Sequence, residues 1–267
     1  MEKASLLGKK VLFPNKYDKE LLIPLERKSQ RDQAKIDWKE HQFFGLDNWT
    51  CYEVSWLNKR NFPQIRVLYL SYSSSSKFFI ESKSLKLYLG SLHNERFSSP
   101  EEVELLIKDD LTEVIEEEVQ IELLEKPKKI LNCKTPLDEL IIEINHLKEV
   151  DASILKSKNN TVSKSLHTSS FRSLCPVTSQ PDWADIFIEY KGKEISEESL
   201  LKYLISYREH QGFHEECVER IFIDILNQCS CTSLTVKANF LRRGGIEINP
   251  IRSTIRSDYE VFRTERQ

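Results

Sequence analysis

One pattern narrows the fold more than any other feature, and it occurs twice along the chain: alternating strands, then an amphipathic helix, then a returning strand. Residues 50–56 and 65–71 carry β-branched and aromatic side chains at every second position, the mark of strands with one buried face. Residues 78–80 end another extended piece. Ser99 then precedes Pro100, Glu101 and Glu102. A serine cap, a proline in the first turn and acids at the positive dipole end predict a helix start. Val103, Leu106, Ile107, Leu111, Val114 and Ile115 keep to one face at helical spacing. Residues 118–124 alternate again as the returning strand. In the second half, residues 184–190 read as a strand, and Ser196 with Glu197 and Glu198 opens a helix to about Arg208. Gly212 interrupts it. A further helix over 214–229 carries Cys217, Ile221, Ile225 and Leu226 as its stripe, and residues 234–241 close as a strand. Antiparallel strands with helices on one face make an α+β fold.

Composition excludes several classes. With 39% hydrophobic and 30% charged residues the chain has the material for a packed core under a solvated surface. A net charge of -3 gives no overall field favouring nucleic acid or anionic lipid. No apolar run approaches the roughly 18 residues of a membrane helix, and the N-terminus lacks a signal-peptide core. The expectation is a soluble cytoplasmic protein. Six irregularly spaced cysteines predict free thiols in a reducing compartment. Seven glycines form neither G-x-G-x-x-G nor a P-loop, so a bound nucleotide would need another cradle.

Four segments carry groups that do chemistry. Cys175-Pro176-Val177-Thr178-Ser179-Gln180-Pro181-Asp182-Trp183 stands just before a strand. Cysteine attacks as the thiolate, and two prolines restrain this loop. It can present one thiol and one carboxyl to the same substrate atoms, with Asp182 as general acid once burial raises its pKa. The same spacing also describes a proline-rich connection with an incidental buried cysteine. In Ile80-Glu81-Ser82-Lys83-Ser84-Leu85-Lys86-Leu87-Tyr88, Glu81 ends an extended piece. Its carboxylate suits adjacent N–H donors on a guanine-like edge, and Lys83 and Lys86 offer point charges for phosphate. A solvated, alternately charged helix start reads equally well.

The third segment, Gly212-Phe213-His214-Glu215-Glu216-Cys217-Val218-Glu219-Arg220, puts His214 at a helix start, where the dipole disfavours its charge. Glu215 is a second acceptor for base N–H groups, and Phe213 could stack on a planar heterocycle. The alternative is an ordinary acidic first turn. In the fourth, Arg242-Arg243-Gly244-Gly245, guanidinium forks stand beside unhindered backbone. That is a phosphate cradle, or else a hairpin turn with exposed charge. Residues 1–45 read as a polar arm with a charged run over 26–39, residues 148–170 as a polar linker or excursion, and the tail 252–267 as polar and without chemistry. Cys51 and Cys133 read as core. Cys229-x-Cys231 with Cys175 and His214 raises a zinc site, but the spacing does not match one, and no metal is expected.

Taken in order, these segments resemble one family, the 7-cyano-7-deazaguanine reductases known as QueF. Glu81 to Tyr88 is similar to the family's signature and Cys175 to Asp182 to its catalytic loop. His214-Glu215-x-Cys217-Val218-Glu219-Arg220-Ile221-Phe222 and Arg242-Arg243-Gly244-Gly245-x-x-Ile248-Asn249-Pro250 match as well. Gly45-Leu46-Asp47-Asn48-Trp49 and Phe13-Pro14 extend the match toward the N-terminus. Pro176 and Ser179 vary the loop, and Glu26 stands where the arm usually continues with proline. Neither departure removes a reacting group.

The resemblance implies the long form: two tandem tunnelling-fold (T-fold) modules, each an antiparallel sheet with helices on one face, over residues 1–147 and 171–267. It implies a homodimer, a 7-deazapurine substrate and NADPH as hydride donor. The reaction would reduce a nitrile to the primary amine of 7-aminomethyl-7-deazaguanine in queuosine biosynthesis, a tRNA modification. Cys175 would form a covalent thioimidate, Asp182 would protonate the nitrogen and His214 would assist. Ile80, Glu81, Ser82, His214 and Glu215 would contact the substrate; Ser82, Lys83, Arg243 and Gly244 would contact NADPH. Two rivals stand beside this reading. One is a zinc-dependent purine or pterin hydrolase of similar fold, separable by metal analysis. The other is a non-catalytic purine-binding protein, against which the intact Cys175, Asp182 and His214 argue.

Overall fold

The computed structural model describes residues 14–34, 43–131, 133, 136–144 and 149–267. Phe13 and the end of the charged run near Lys39 lie outside them. In chain order the elements are β1 (Pro24–Glu26), α1 (Arg27–Gln33), β2 (Phe44–Leu57), β3 (Pro63–Ser73), β4 (Phe78–Ile80), α2 (Ser82–Ser91), α3 (Pro100–Ile115) and β5 (Gln120–Leu124). They continue with β6 (Ser157–Leu174), β7 (Pro181–Ile195), α4 (Glu197–Ile205), α5 (His214–Cys229), β8 (Cys231–Phe240) and β9 (Ile246–Ser253). The α+β class and the antiparallel sheets expected from periodicity are what the chain forms. It divides into two compact units, residues 1–30, 48–128 and 242–247, and residues 31–47, 129–241 and 248–267.

In the first unit β3 lies between β2 and β5 and pairs β5 antiparallel, while β1 pairs β4. The α3 helix begins where Ser99 and Pro100 predicted, although Ser99 makes no side-chain cap bond. Glu102 reaches back instead and accepts from the Ser98 N–H at 2.7 Å. Val103, Ile107, Leu111 and Ile115 are buried as the stripe required, and Asp110 is buried among them. Asp110 accepts from the Tyr88 and Tyr17 hydroxyls at 2.6 and 2.8 Å, which satisfies a carboxylate on an apolar face.

The second unit holds β9, β8, β7 and β6 side by side, with β6–β7, β7–β8 and β8–β9 antiparallel. Ala184, Ile186 and Ile188 of β7 and Val236, Ala238 and Phe240 of β8 face Leu200, Leu204, Ile221, Phe222 and Ile225 of α4 and α5 in one core. Residues 157–170, read from composition as part of a linker or excursion, belong to β6. Backbone pairing to β7 does not require apolar side chains, and the first half of β6 is largely exposed.

The β6–β7 ladder is irregular at two places, between Ser157 and Thr161 and between Thr168 and Phe171. Thr168 pairs with Ile186, and Phe171 pairs with Ala184, so β6 carries one residue more than β7 between these points. This bulge switches which β6 side chains face the helices. Beyond it Ser173 pairs with Asp182 and Leu174 with Pro181, where the ladder ends.

Candidate active site

The loop from Cys175 to Asp182 closes the β6–β7 hairpin. The Cys175 N–H donates to the Gln180 carbonyl at 2.9 Å, and the Ser179 N–H to the Cys175 carbonyl at 3.0 Å. Ser179 has φ 54°, so the last loop residue takes the left-handed conformation that tight four-residue loops need. Pro181 pairs with Leu174. The Leu174 backbone groups serve the neighbouring segment: its N–H donates to the His210 carbonyl at 2.8 Å, and its carbonyl accepts from the Gly212 N–H at 3.1 Å. The hairpin end is thus fastened to the residues that lead into α5.

That lead-in is a tight fit. His210 Nε2 lies 3.1 Å from Glu216 Oε1. A Cβ on Gly212 would meet the Glu216 carboxylate at 2.8 Å and His210 Nε2 at 2.9 Å. A larger residue here would oblige the Glu216 carboxylate or the His210 ring to shift. His214 begins α5, with its ring stacked on Phe240 at 3.9 Å between centroids and 12° between planes. Its Nε2 lies 3.4 Å from Asp182 Oδ2. Asp182 and Glu215 are both buried. Two of the expected residues therefore meet in the second unit, Asp182 and His214 as a close pair, and Cys175 stands in the loop at the end of the same hairpin.

The remaining cysteines do not compete. All six are free thiols. Burial raises the pKa of Cys51, Cys133 and Cys217, and pushes the Cys229 and Cys231 thiols up to about 12 and about 11. A thiol held protonated is a poor nucleophile. Cys133, expected in the core, is only half-buried, because it lies in an irregular segment outside any strand or helix. Among the described residues no group of three or more His, Cys, Asp or Glu is placed to hold a metal ion. No helix among them is long and apolar enough to cross a membrane.

Ile80, Glu81, Ser82, Lys83, Arg243 and Gly244 belong to the first unit. The segment from Ile80 to Tyr88 is the helix start that its alternation allowed. Glu81 is the N-cap of α2, its two carboxylate oxygens accepting from the Lys83 and Ser84 N–H groups at 2.9 and 2.7 Å. Burial raises the Glu81 pKa against these two bonds, which oppose the shift. Ser82 is exposed and Lys83 half-buried. The Arg243 and Ile246 backbones exchange bonds at 3.0 and 3.2 Å around Gly244 and Gly245, with φ 57° and 82°, so both glycines serve a two-residue turn with positive φ at both positions.

Lys86 Nζ donates to the Gly244 carbonyl at 2.6 Å and lies 3.2 Å from Glu53. With Ser55, Gly90 and His93 these residues line a cavity of about 230 Å³. The cavity thus sets the Lys86 ammonium against the Glu53 carboxylate, beside two glycines in the left-handed conformation. The sequence pointed to the lysines and the glycines; Glu53, Ser55 and His93 carried no signal, since each sits singly in a strand or at a helix end. A Gly245→Ala protein should lose about 1–2 kcal/mol of stability from the left-handed backbone, measured by urea unfolding. An unchanged midpoint would mean that the turn relaxes.

The comparisons agree with this architecture. Residues 13–123 match the family model described as the N-terminal part of the nitrile reductase 7-cyano-7-deazaguanine-reductase, and residues 181–259 match that of the QueF-like protein. An NADPH-dependent 7-cyano-7-deazaguanine reductase of Desulfotalea psychrophila is 39% identical over 268 residues, covering 98% of this chain and 96% of its own. Its namesake from Coxiella burnetii is 40% identical, covering 95% and 93%. That from Saccharophagus degradans is 38% identical, covering 98% of each. The chain belongs to the nitrile reductases, and among them to the family of NADPH-dependent 7-cyano-7-deazaguanine reductases.

Proposed function

We propose that this protein reduces the nitrile of 7-cyano-7-deazaguanine to the primary amine 7-aminomethyl-7-deazaguanine, a step toward queuosine, with Cys175 as nucleophile and Asp182 as proton donor. The observation that carries the reading is the pairing of buried Asp182 with His214 beside the hairpin loop that contains Cys175. The relatives' names supply the substrate and the reductant.

The nitrile carbon is electrophilic but slow to react. The Cys175 sulfur forms a bond to it, the C≡N π pair moves to nitrogen, and Asp182 gives that nitrogen its proton. The product is a covalent thioimidate, and covalent attachment splits one difficult reduction into easier steps. Ser82, Lys83, Arg243 and Gly244 would hold NADPH, which would supply two hydrides per turnover; between them the C–S bond breaks, which returns the Cys175 thiol and leaves an imine for the second reduction. His214 holds the Asp182 carboxyl through Nε2, and Phe240 fixes the plane of its ring. Glu81 and Glu215 receive the N–H groups of the heterocycle. The Glu81 oxygens that cap α2 keep lone pairs for this, since a carboxylate offers about four acceptor sites. The working form is a homodimer, as the family resemblance implies; sedimentation as a monomer at assay concentration would overturn that part.

The test mixes purified protein with 7-cyano-7-deazaguanine. Intact mass without NADPH should show one substrate-mass adduct, and NADPH should then be consumed at two per nitrile. Neither adduct nor oxidation would sink the reading. Asp182→Asn should slow adduct formation by about 10²–10⁴-fold, the usual weight of a positioned general acid. A rate near that of the unaltered protein would remove Asp182 from the mechanism.

A further inference from the structure

The last residue of the polar tail is buried, with 5% of its surface exposed. The Gln267 amide nitrogen donates to the Phe240 carbonyl at 3.0 Å and to Asn249 Oδ1 at 2.9 Å. Its amide oxygen accepts from the Thr264 N–H at 3.1 Å and from Asn239 Nδ2 at 3.0 Å. Both donors and both acceptor sites of the side chain are used. The orientation of the amide is fixed by groups that cannot exchange roles. The Phe240 carbonyl only accepts and the Thr264 N–H only donates. Asn239 Nδ2 also donates to the Phe262 carbonyl at 2.8 Å, and Asn249 Oδ1 also accepts from the Phe240 N–H at 3.1 Å. A flipped amide would set donor against donor and acceptor against acceptor.

These bonds converge on the last two residues of β8 and hold the N–H and the carbonyl of Phe240 together. The ring of that same residue is the platform on which His214 stacks. His214 Nδ1 is buried and has no hydrogen-bond partner among the described residues. Apart from the Asp182 contact at Nε2, the plane of the imidazole therefore rests on the Phe240 face. Thr264 ties the same tail to β7, its hydroxyl donating to Asp185 Oδ2 at 2.6 Å, three residues beyond Asp182.

We infer that Gln267 is a positioning residue for the reduction, its amide fixing Phe240 so that His214 stays aligned on Asp182. The inference rests on the proposed roles of Asp182 and His214. Gln267→Glu keeps the shape but turns an oxygen toward the Phe240 carbonyl and Asn249 Oδ1. Gln267→Met keeps the length and loses all four bonds.

Adduct formation without NADPH is followed for the full-length protein and both variants across pH, alongside melting temperature. Affinity for 7-cyano-7-deazaguanine is measured in a Cys175→Ala background. Per folded molecule, both variants should form adduct about 10–100-fold more slowly, the cost of a small misplacement in a reacting site, with affinity little changed. Gln267→Glu should regain rate as pH falls and its carboxyl takes up a proton that it can donate to the Phe240 carbonyl; Gln267→Met should not. A merely structural residue would lower the melting temperature and leave the rate per folded molecule and the pH profile as they were, and that result overturns the inference. If neither variant is recovered folded, Phe240→Leu tests the same route, and a full adduct rate in it overturns the inference equally. Absence of adduct in the unaltered protein, or an Asp182→Asn protein that reacts at full rate, would instead refute the proposed function itself.

Discussion

Cys175→Ala should form no substrate-mass adduct and oxidise NADPH on the order of 10⁴-fold more slowly than the unaltered protein, because removing the nucleophile closes the covalent route altogether. The fold should hardly notice. Cys175 is half-buried at the end of a hairpin, and its backbone makes the bonds to Gln180 and from Ser179 that shape the loop. A surface-type change of this kind stays within about 0.5 kcal/mol, so loss of activity at an unchanged melting temperature isolates the chemical role. The sharpest adverse result is an adduct that survives the substitution on another cysteine. Burial raises the pKa of each of the other five thiols, which makes them poorer nucleophiles.

What could be read before the structure was what announces itself by periodicity. The β2, β3, β7 and β8 strands, the α3 stripe and the α5 stripe all followed from apolar residues recurring at two or at three to four positions. The site was legible for a different reason. Cys175, Asp182 and His214 stand in restrained or capped contexts whose residue order resembles a known family, and the fold brings Asp182 and His214 within 3.4 Å. Spacing alone had left each of them an ordinary alternative.

The polar stretches were misread, and for one common reason. Composition equates polar with exposed, but a polar group can be buried once it is paired. Residues 157–165 make a strand through the backbone ladder and through side-chain bonds such as those of Lys164 to Glu194 and Glu197. The bulge between Thr168 and Phe171, which changes which β6 side chains face the helices, leaves no mark in the polar sequence there. The tail from Arg252 to Gln267, given no chemistry from sequence, contains a fully buried guanidinium at one end and a fully bonded amide at the other.

That guanidinium sets up the largest stability effect. Arg252 Nη1 lies 2.7 Å from Asp47 Oδ1, and its Nη2 lies 2.8 Å from Glu219 Oε1, all three side chains at 2% exposure or less. Arg31 grips Glu219 with two bonds of 2.8 Å. Burial works against the Arg252 charge, and the Asp47 and Glu219 carboxylates more than offset it, so its pKa lies above the ordinary value. Glu219 is one helical turn past Glu215 on α5, so the network also holds the helix that starts with His214. Arg252→Met should cost about 3–5 kcal/mol, since it strands buried carboxylate charge rather than merely deleting an attraction. For a chain of this size that lowers the melting temperature by about 6–20 °C. Arg31→Met should cost less, because Glu219 keeps Arg252. Adding Asp47→Leu to Arg252→Met should recover part of the loss by removing the stranded charge, and a double-mutant cycle measures that recovery. If the double variant is instead less stable by the full sum of the single effects, Asp47 and Arg252 are not coupled, and the packing of the long Arg252 side chain rather than its charge holds α5 in place.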